Sequence, residues 1–185
     1  MIRIFIDQGH NPVNPNAGAE ANGVREQDVT YEVGIRLARL LRQDPMFAVR
    51  LSRNTPETIL GTTDNASSLA ARVNAANSWP ADYFISLHCN ISTDPRVSGS
   101  EAYVYRRVGE AYVFGEYILR GLNQVTGLPN RGVRVQNLYV LRRTTMPAVL
   151  VEMGYLSNPG DAALLSSNPD LFAQGIYQGI KEYFG

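Results

Sequence analysis

The chain contains two histidines, His10 and His88, and each closely follows an apolar run with strand character. Residues 2–6 lead into Asp7-Gln8-Gly9-His10, and residues 83–87 lead directly into His88. Two strands that carry their histidines to one sheet edge would bring two imidazoles to a shared site. Neutral imidazole is a common zinc ligand, and a carboxylate oxygen often completes the set. Glu26, in Asn22-Gly23-Val24-Arg25-Glu26-Gln27-Asp28, stands at the start of a helical segment after the polar loop that begins at His10. It fits either a metal ligand or a first-turn carboxylate favoured by the helix dipole. Glu152 closes the apolar run 148–151. An isolated charge is costly to bury there, so it requires a metal, a substrate or an arginine as partner. A structural salt bridge is one reading of it; a general base acting on metal-activated water is the other.

These residues need a scaffold that presents strand ends. Strand character recurs at residues 2–6, 47–51, 83–87, 102–105, 138–141 and 148–151. Helical spacing lies between several of these runs. Val29, Val33, Leu37, Leu40 and Leu41 mark one face, with Asp28 as its expected N-cap. Further helices are expected over 66–78, 110–125, 161–166 and 171–184, with Val113, Tyr117 and Leu122 facing a core and Gly127 closing the third helix. The alternation predicts one α/β domain over residues 1–185, a twisted, mostly parallel sheet of about six strands with helices on both faces. In such sheets ligands bind beyond the carboxyl ends of the strands, where His10 and His88 lie.

Composition bounds the function. A chain of 185 residues with 44% hydrophobic content can bury a proper core. Its 17 basic and 17 acidic residues cancel, which argues against a general nucleic-acid binder. Lys181 is the only lysine, so arginine carries nearly all the positive charge. Cys89 is the only cysteine, which excludes an intrachain disulfide and a cysteine metal cluster. Adjacent strand residues point to opposite faces, so if His88 faces a metal, Cys89 faces the packed side. No apolar run reaches the roughly 18 residues of a membrane span. The N-terminus lacks the long apolar core of a signal peptide, so export by the ordinary route is not expected from this stretch.

Seven segments, in order along the chain, resemble the zinc-dependent N-acetylmuramoyl-L-alanine amidases of autolysins, sporulation amidases and phage endolysins. They are Ile4-Phe5-Ile6-Asp7-Gln8-Gly9-His10, Gly23-Val24-Arg25-Glu26-Gln27-Asp28, Leu51-Ser52-Arg53, Arg72-Val73-Asn74-Ala75-Ala76-Asn77, Phe84-Ile85-Ser86-Leu87-His88-Cys89-Asn90, Gly99-Ser100-Glu101-Ala102-Tyr103, and the stretch from Met146 through Glu152-Met153-Gly154-Tyr155 to Asn158. The resemblance implies one Zn2+ per chain held by His10, Glu26 and His88, with Glu152 as catalytic base. It implies hydrolysis of the amide that joins the lactyl group of N-acetylmuramic acid to L-alanine in peptidoglycan. The chain departs from the family pattern at Gln8 and Asn11, which flank the first histidine, and at Cys89, where alanine is usual.

Such a substrate is anionic and extended. Arg25, Arg53, Arg131 and Arg134, in or near the expected edge loops, are candidates for stem-peptide carboxylates, and Asn90 for orienting substrate. Some members of the resembled family block the metal with an inserted helix. The short polar loop between Asn90 and Gly99 leaves no room for one, so an open site is expected. The resemblance implies a monomer acting on muramoyl-peptides at the bacterial wall, outside the cytoplasm, with phage-type release or a leader trimmed away. The alternatives are another zinc-dependent cell-wall endo- or carboxypeptidase, and an inactive peptidoglycan-binding module.

Overall fold

The first apolar run forms β1 (Ile2–Gln8), whose residues from Ile4 onward are all buried. A strand apolar on both faces belongs in the middle of a parallel sheet. β5 (Tyr83–Asn90) and β8 (Ala148–Tyr155) have the same character. With β4 (Phe47–Leu51), β6 (Ser100–Val104) and β7 (Asn130–Val135) they build a six-stranded sheet in the order β4-β1-β5-β8-β6-β7. The first four are mutually parallel; β6 runs antiparallel to β8, and β7 runs parallel to β6. The structure is a computed structural model and describes residues 1–185.

Helices cover both faces. α1 (Glu26–Arg42), α3 (Glu110–Thr126) and α6 (Pro169–Phe184) lie on one side, over a core that includes Ile4, Ile6, Ile85, Leu87, Val149 and Val151. α2 (Asn65–Ser78) and the short α4 (Tyr139–Arg143) cover the other side, against Phe5, Phe84, Ala148 and Leu150. Between β8 and α6 runs α5 (Pro159–Ser167), capped by Asn158, whose side chain accepts from the Gly160 and Asp161 N–H groups. α3 and α6 touch backbone to backbone: a Cβ on Gly179 would lie 2.3 Å from the Tyr117 carbonyl oxygen. No helix is long and apolar enough to cross a membrane.

One α/β domain with a mostly parallel sheet and helices on both faces is therefore observed, as expected. Three elements differ from the expectations. Residues 138–141 form the start of α4 rather than a strand, because a short apolar run reads alike in either state; Val140 and Leu141 are buried against the sheet. The sixth strand is β7, an edge strand with a largely exposed pattern that apolar counting passes over. α1 starts at Glu26, with Arg25 at its N-cap position and Asp28 inside its first turn. Its start is set by a hairpin of β2 (Glu20–Ala21) and β3 (Val24–Arg25). Asn22 and Gly23 form the two-residue turn, both at positive φ (51° and 73°), as a type I′ turn requires. Val113, expected in the core, is 42% exposed near the start of α3.

Candidate metal centre and catalytic carboxylate

His10 follows β1, His88 lies near the end of β5, and Glu26 is the first residue of α1. The hairpin and α1 bring Glu26 over the strand ends, where donor atoms of all three residues lie within 4.8 Å of one another. His10 Nε2 is 3.1 Å from Glu26 Oε2, and His88 Nδ1 is 3.0 Å from Glu26 Oε1. The imidazole rings meet edge to face, 4.9 Å between centroids.

The backbone is shaped for this approach. A Cβ on Gly9 would sit 2.5 Å from His88 Cε1, so no larger residue fits there without moving the second histidine. His10 adopts φ 70°, a left-handed conformation that costs about 1–2 kcal/mol for a residue with a side chain. Backbone bonds on either side hold it: Gly9 N–H to the Leu87 carbonyl at 3.0 Å and Asn11 N–H to the Asn16 carbonyl at 2.9 Å. The loop beneath is fixed by a buried ion pair, Arg72 Nη1 to Asp7 Oδ1 at 2.7 Å. Arg72 also donates to the Gln8 carbonyl and to Asn11 Oδ1, and the Ser86 hydroxyl donates to Asp7 Oδ2. Burial opposes charge on Asp7, yet Arg72 and the Ser86 hydroxyl bond hold its carboxyl below the usual range.

The donor set suits a divalent cation. His10 Nδ1 faces the Asn16 carbonyl at 3.2 Å, and since a carbonyl only accepts, this nitrogen carries the proton. Nε2 then faces the Glu26 carboxylate, so a proton or a cation must lie between the two. Glu26 is anchored by N–H groups of Ala19 (3.0 Å) and Cys89 (2.9 Å). Burial disfavours its charge, but the bonds to His10 and His88 outweigh that and hold its carboxyl far below the ordinary value. Two imidazoles and one carboxylate are a borderline-soft set, and a three-residue set leaves a coordination position open.

Glu152 stands beside His88 in the register of β5 and β8. Its Oε2 is shut off from solvent and has no hydrogen-bond partner. Burial, followed by the charges of Glu26 and Glu101, pushes its carboxyl up to about 8. Glu101, on β6, is the register partner of Glu152 on the other side and is itself 2% exposed. Glu101 was given no role from the sequence. Its signal was the one that singled out Glu152, a carboxylate inside an otherwise closed strand.

The remaining candidates scatter. Asn90 does not point freely into the site; its amide donates to Glu101 Oε1 at 2.6 Å. Arg131 and Arg134 converge on Glu101 Oε2, at 3.9 and 3.2 Å. Arg25 is half-buried, pairs with Asp28 at 3.3 Å and donates to the Pro12 carbonyl at 2.6 Å. Arg53 must be corrected. It is fully buried, its guanidinium donates to the carbonyls of Gln27 and Pro56, and it stacks over Tyr31, so it serves the interior and cannot meet a substrate. Cys89 is buried in the core opposite His88, and burial pushes its thiol up, which removes it as a nucleophile. The loop between Asn90 and β6 is short and contains no helix.

A family model described as N-acetylmuramoyl-L-alanine amidase matches residues 4–182. The amidase CwlM of Bacillus licheniformis is 38% identical over 97% of this chain. A sporulation-specific N-acetylmuramoyl-L-alanine amidase of Bacillus subtilis is 33% identical over 100% of it. The chain spans 66% and 69% of those two proteins, about two thirds of their length. The solved catalytic domain of CwlV, an amidase from Bacillus (Paenibacillus) polymyxa var. colistinus, superposes with a TM-score of 0.86 at 34% identity, covering 100% of this chain and 98% of that one.

Proposed function

The chain belongs to the N-acetylmuramoyl-L-alanine amidase family, and on that premise we propose that it hydrolyses the lactyl–L-alanine amide of peptidoglycan, with His10, Glu26 and His88 as zinc ligands and Glu152 as the general base. The observation that carries this reading is the convergence of the His-Glu-His set beside Glu152, a half-buried carboxylate whose Oε2 is shut off from solvent without a partner. When bound, zinc supplies Lewis-acid polarisation of the amide carbonyl and lowers the pKa of water from 15.7 toward about 7. Glu152 takes a proton from the attacking water and returns it to the leaving amine of L-alanine. Its burial serves that exchange, because a carboxyl held near neutral pH both accepts and donates readily. A cation held close by favours the ionised form, so the base is ready when the metal is in place. Asn16, through its carbonyl, fixes the His10 tautomer, and the N–H groups of Ala19 and Cys89 fix Glu26.

The polymer lies outside the cytoplasmic membrane, and we place the action of this catalytic domain, over residues 1–185 and as a monomer, at the bacterial wall. The test is a defined muramoyl-peptide incubated with zinc-loaded protein, chelator-treated protein and Glu152→Gln, with products resolved by mass. Zinc-dependent release of an intact stem beginning at L-alanine, lost in the other two arms, is the expected result. Cleavage within the stem would make the chain a cell-wall peptidase. An uncut substrate with zinc verified as bound would make it a binding module.

A further inference from the structure

We propose that Arg131 and Arg134, gathered on Glu101, form a receptor for the free α-carboxylate of the second stem residue, and so make the enzyme discriminate between stems that carry that carboxylate and stems in which it is amidated. The inference deepens the amidase reading and rests on it for the direction of the substrate. Glu101 is nearly saturated on one oxygen: Oε1 accepts from Asn90 Nδ2 at 2.6 Å, the Tyr103 hydroxyl at 2.9 Å and the Tyr155 hydroxyl at 3.2 Å. Its Oε2 faces the two arginines, and both approach through Nε. The terminal nitrogens of the guanidinium forks stay free of Glu101. Arg131 Nη1 makes one long bond to the Ser98 carbonyl at 3.4 Å, and those of Arg134 make none. Two cations against one carboxylate leave a surplus positive charge, with side-chain exposures of 34% and 53%. Arg131 also stacks over the Tyr155 ring at 5.5 Å, which holds its plane. Residues 105–147, which include both arginines, carry seven arginines against Glu110 and Glu116 alone, in a chain of no net charge.

The fork geometry of arginine matches a carboxylate in bidentate fashion. Position agrees with the chemistry. Glu152 protonates the leaving amine, so the stem begins at β8; Glu101 lies one strand away and Arg134 two. Two inter-strand spacings are about 10 Å. An extended dipeptide covers about 7 Å of that, and the arginine side chain closes the rest. His10 and His88 also line a cleft of about 160 Å³ whose apolar wall is Leu69, Leu138, Tyr139, Val140 and Leu150 and whose one arginine, Arg72, is already paired with Asp7; neither Arg131 nor Arg134 lines it.

The experiment compares L-alanyl-γ-D-glutamate with its α-amide, as free dipeptides in a binding titration and as muramoyl-dipeptides in turnover, on the zinc-loaded chain and on Arg131→Gln and Arg134→Gln. The readout is the ratio of acid to amide, which a partly misfolded preparation leaves unchanged. Charge-assisted bidentate pairing predicts a ratio of about 10 or more in the parent, falling toward 1 in each variant. A parent ratio near 1, or variants that keep the parent's ratio, overturns the receptor. Discrimination between the dipeptides without turnover of either muramoyl-peptide supports the receptor and sinks the amidase reading instead.

Discussion

Metal-free Glu152→Gln should flatten the pH dependence of stability, because burial pushes the Glu152 carboxyl up into the neutral range. Its carboxyl stands near 8 in the fold against an ordinary value of 4.5. Between those values the folded chain holds a proton that the unfolded chain has released, so stability falls as pH rises. A carboxyl with those two values loses about 3.5 kcal/mol of stabilisation between pH 5 and pH 8. Glu152 keeps partial solvent contact, which reduces the expected loss to about 2 kcal/mol. Glu26 works in the opposite sense. Its depressed value contributes stability above about 4.5 that is lost only as the solution becomes strongly acid, outside this window. The assay is urea unfolding in chelator at pH 5, 6, 7 and 8, for the parent and the variant. The expected result is a parent that loses about 2 kcal/mol more than the variant across the series. Parallel profiles would refute the half-buried placement of Glu152 beside the carboxylates of Glu26 and Glu101.

Three further outcomes follow from the site. His10→Ala or His88→Ala should weaken zinc binding by more than about 100-fold in a chelator competition, a loss larger than outer contacts give; equal affinity in either variant removes that residue from the metal. Gly9→Ala puts a methyl 2.5 Å from His88 Cε1, and the displaced ring should cost about 10–100-fold in zinc affinity in the same competition. Unchanged affinity would mean that His88 is not held where the ligand set needs it. Arg72→Leu strips Asp7 of its buried partner and should destabilise the chain by about 3–5 kcal/mol in urea unfolding, with less than about 1 kcal/mol contradicting the role given to that pair.

Much of this architecture is legible in the residue order. β1, β5 and β8 announce themselves because they are buried on both faces and read as largely apolar runs up to Asp7, His88 and Glu152, interrupted before those residues only by Arg3 and Ser86. His10, His88 and Glu152 are legible for the same reason: a titratable residue after such a run has little cause to be there without a task. Glu26 is less so, since its position comes from the Asn22-Gly23 turn, which alternation does not register. β7 escapes because an edge strand need not be apolar, and α4 because four apolar residues fit either state. Arg53 and Arg134 look alike in sequence. Only tertiary contacts separate an arginine locked on the carbonyls of Gln27 and Pro56 from one that leans on Glu101 at the surface. Glu101 carries the same signal as Glu152, a carboxylate within a strand, but its place in the site follows only from the antiparallel pairing that sets it opposite Glu152.

The proposed mechanism requires one zinc ion among His10, Glu26 and His88, with Glu152 beside it but not bound to it. Crystals grown with zinc, measured at the zinc absorption edge, test this most directly. The expected result is a single anomalous peak about 2.0–2.2 Å from one nitrogen of each histidine and from a Glu26 oxygen, with a coordination position left open. A peak elsewhere, or one coordinated by Glu152 in place of Glu26, would contradict it.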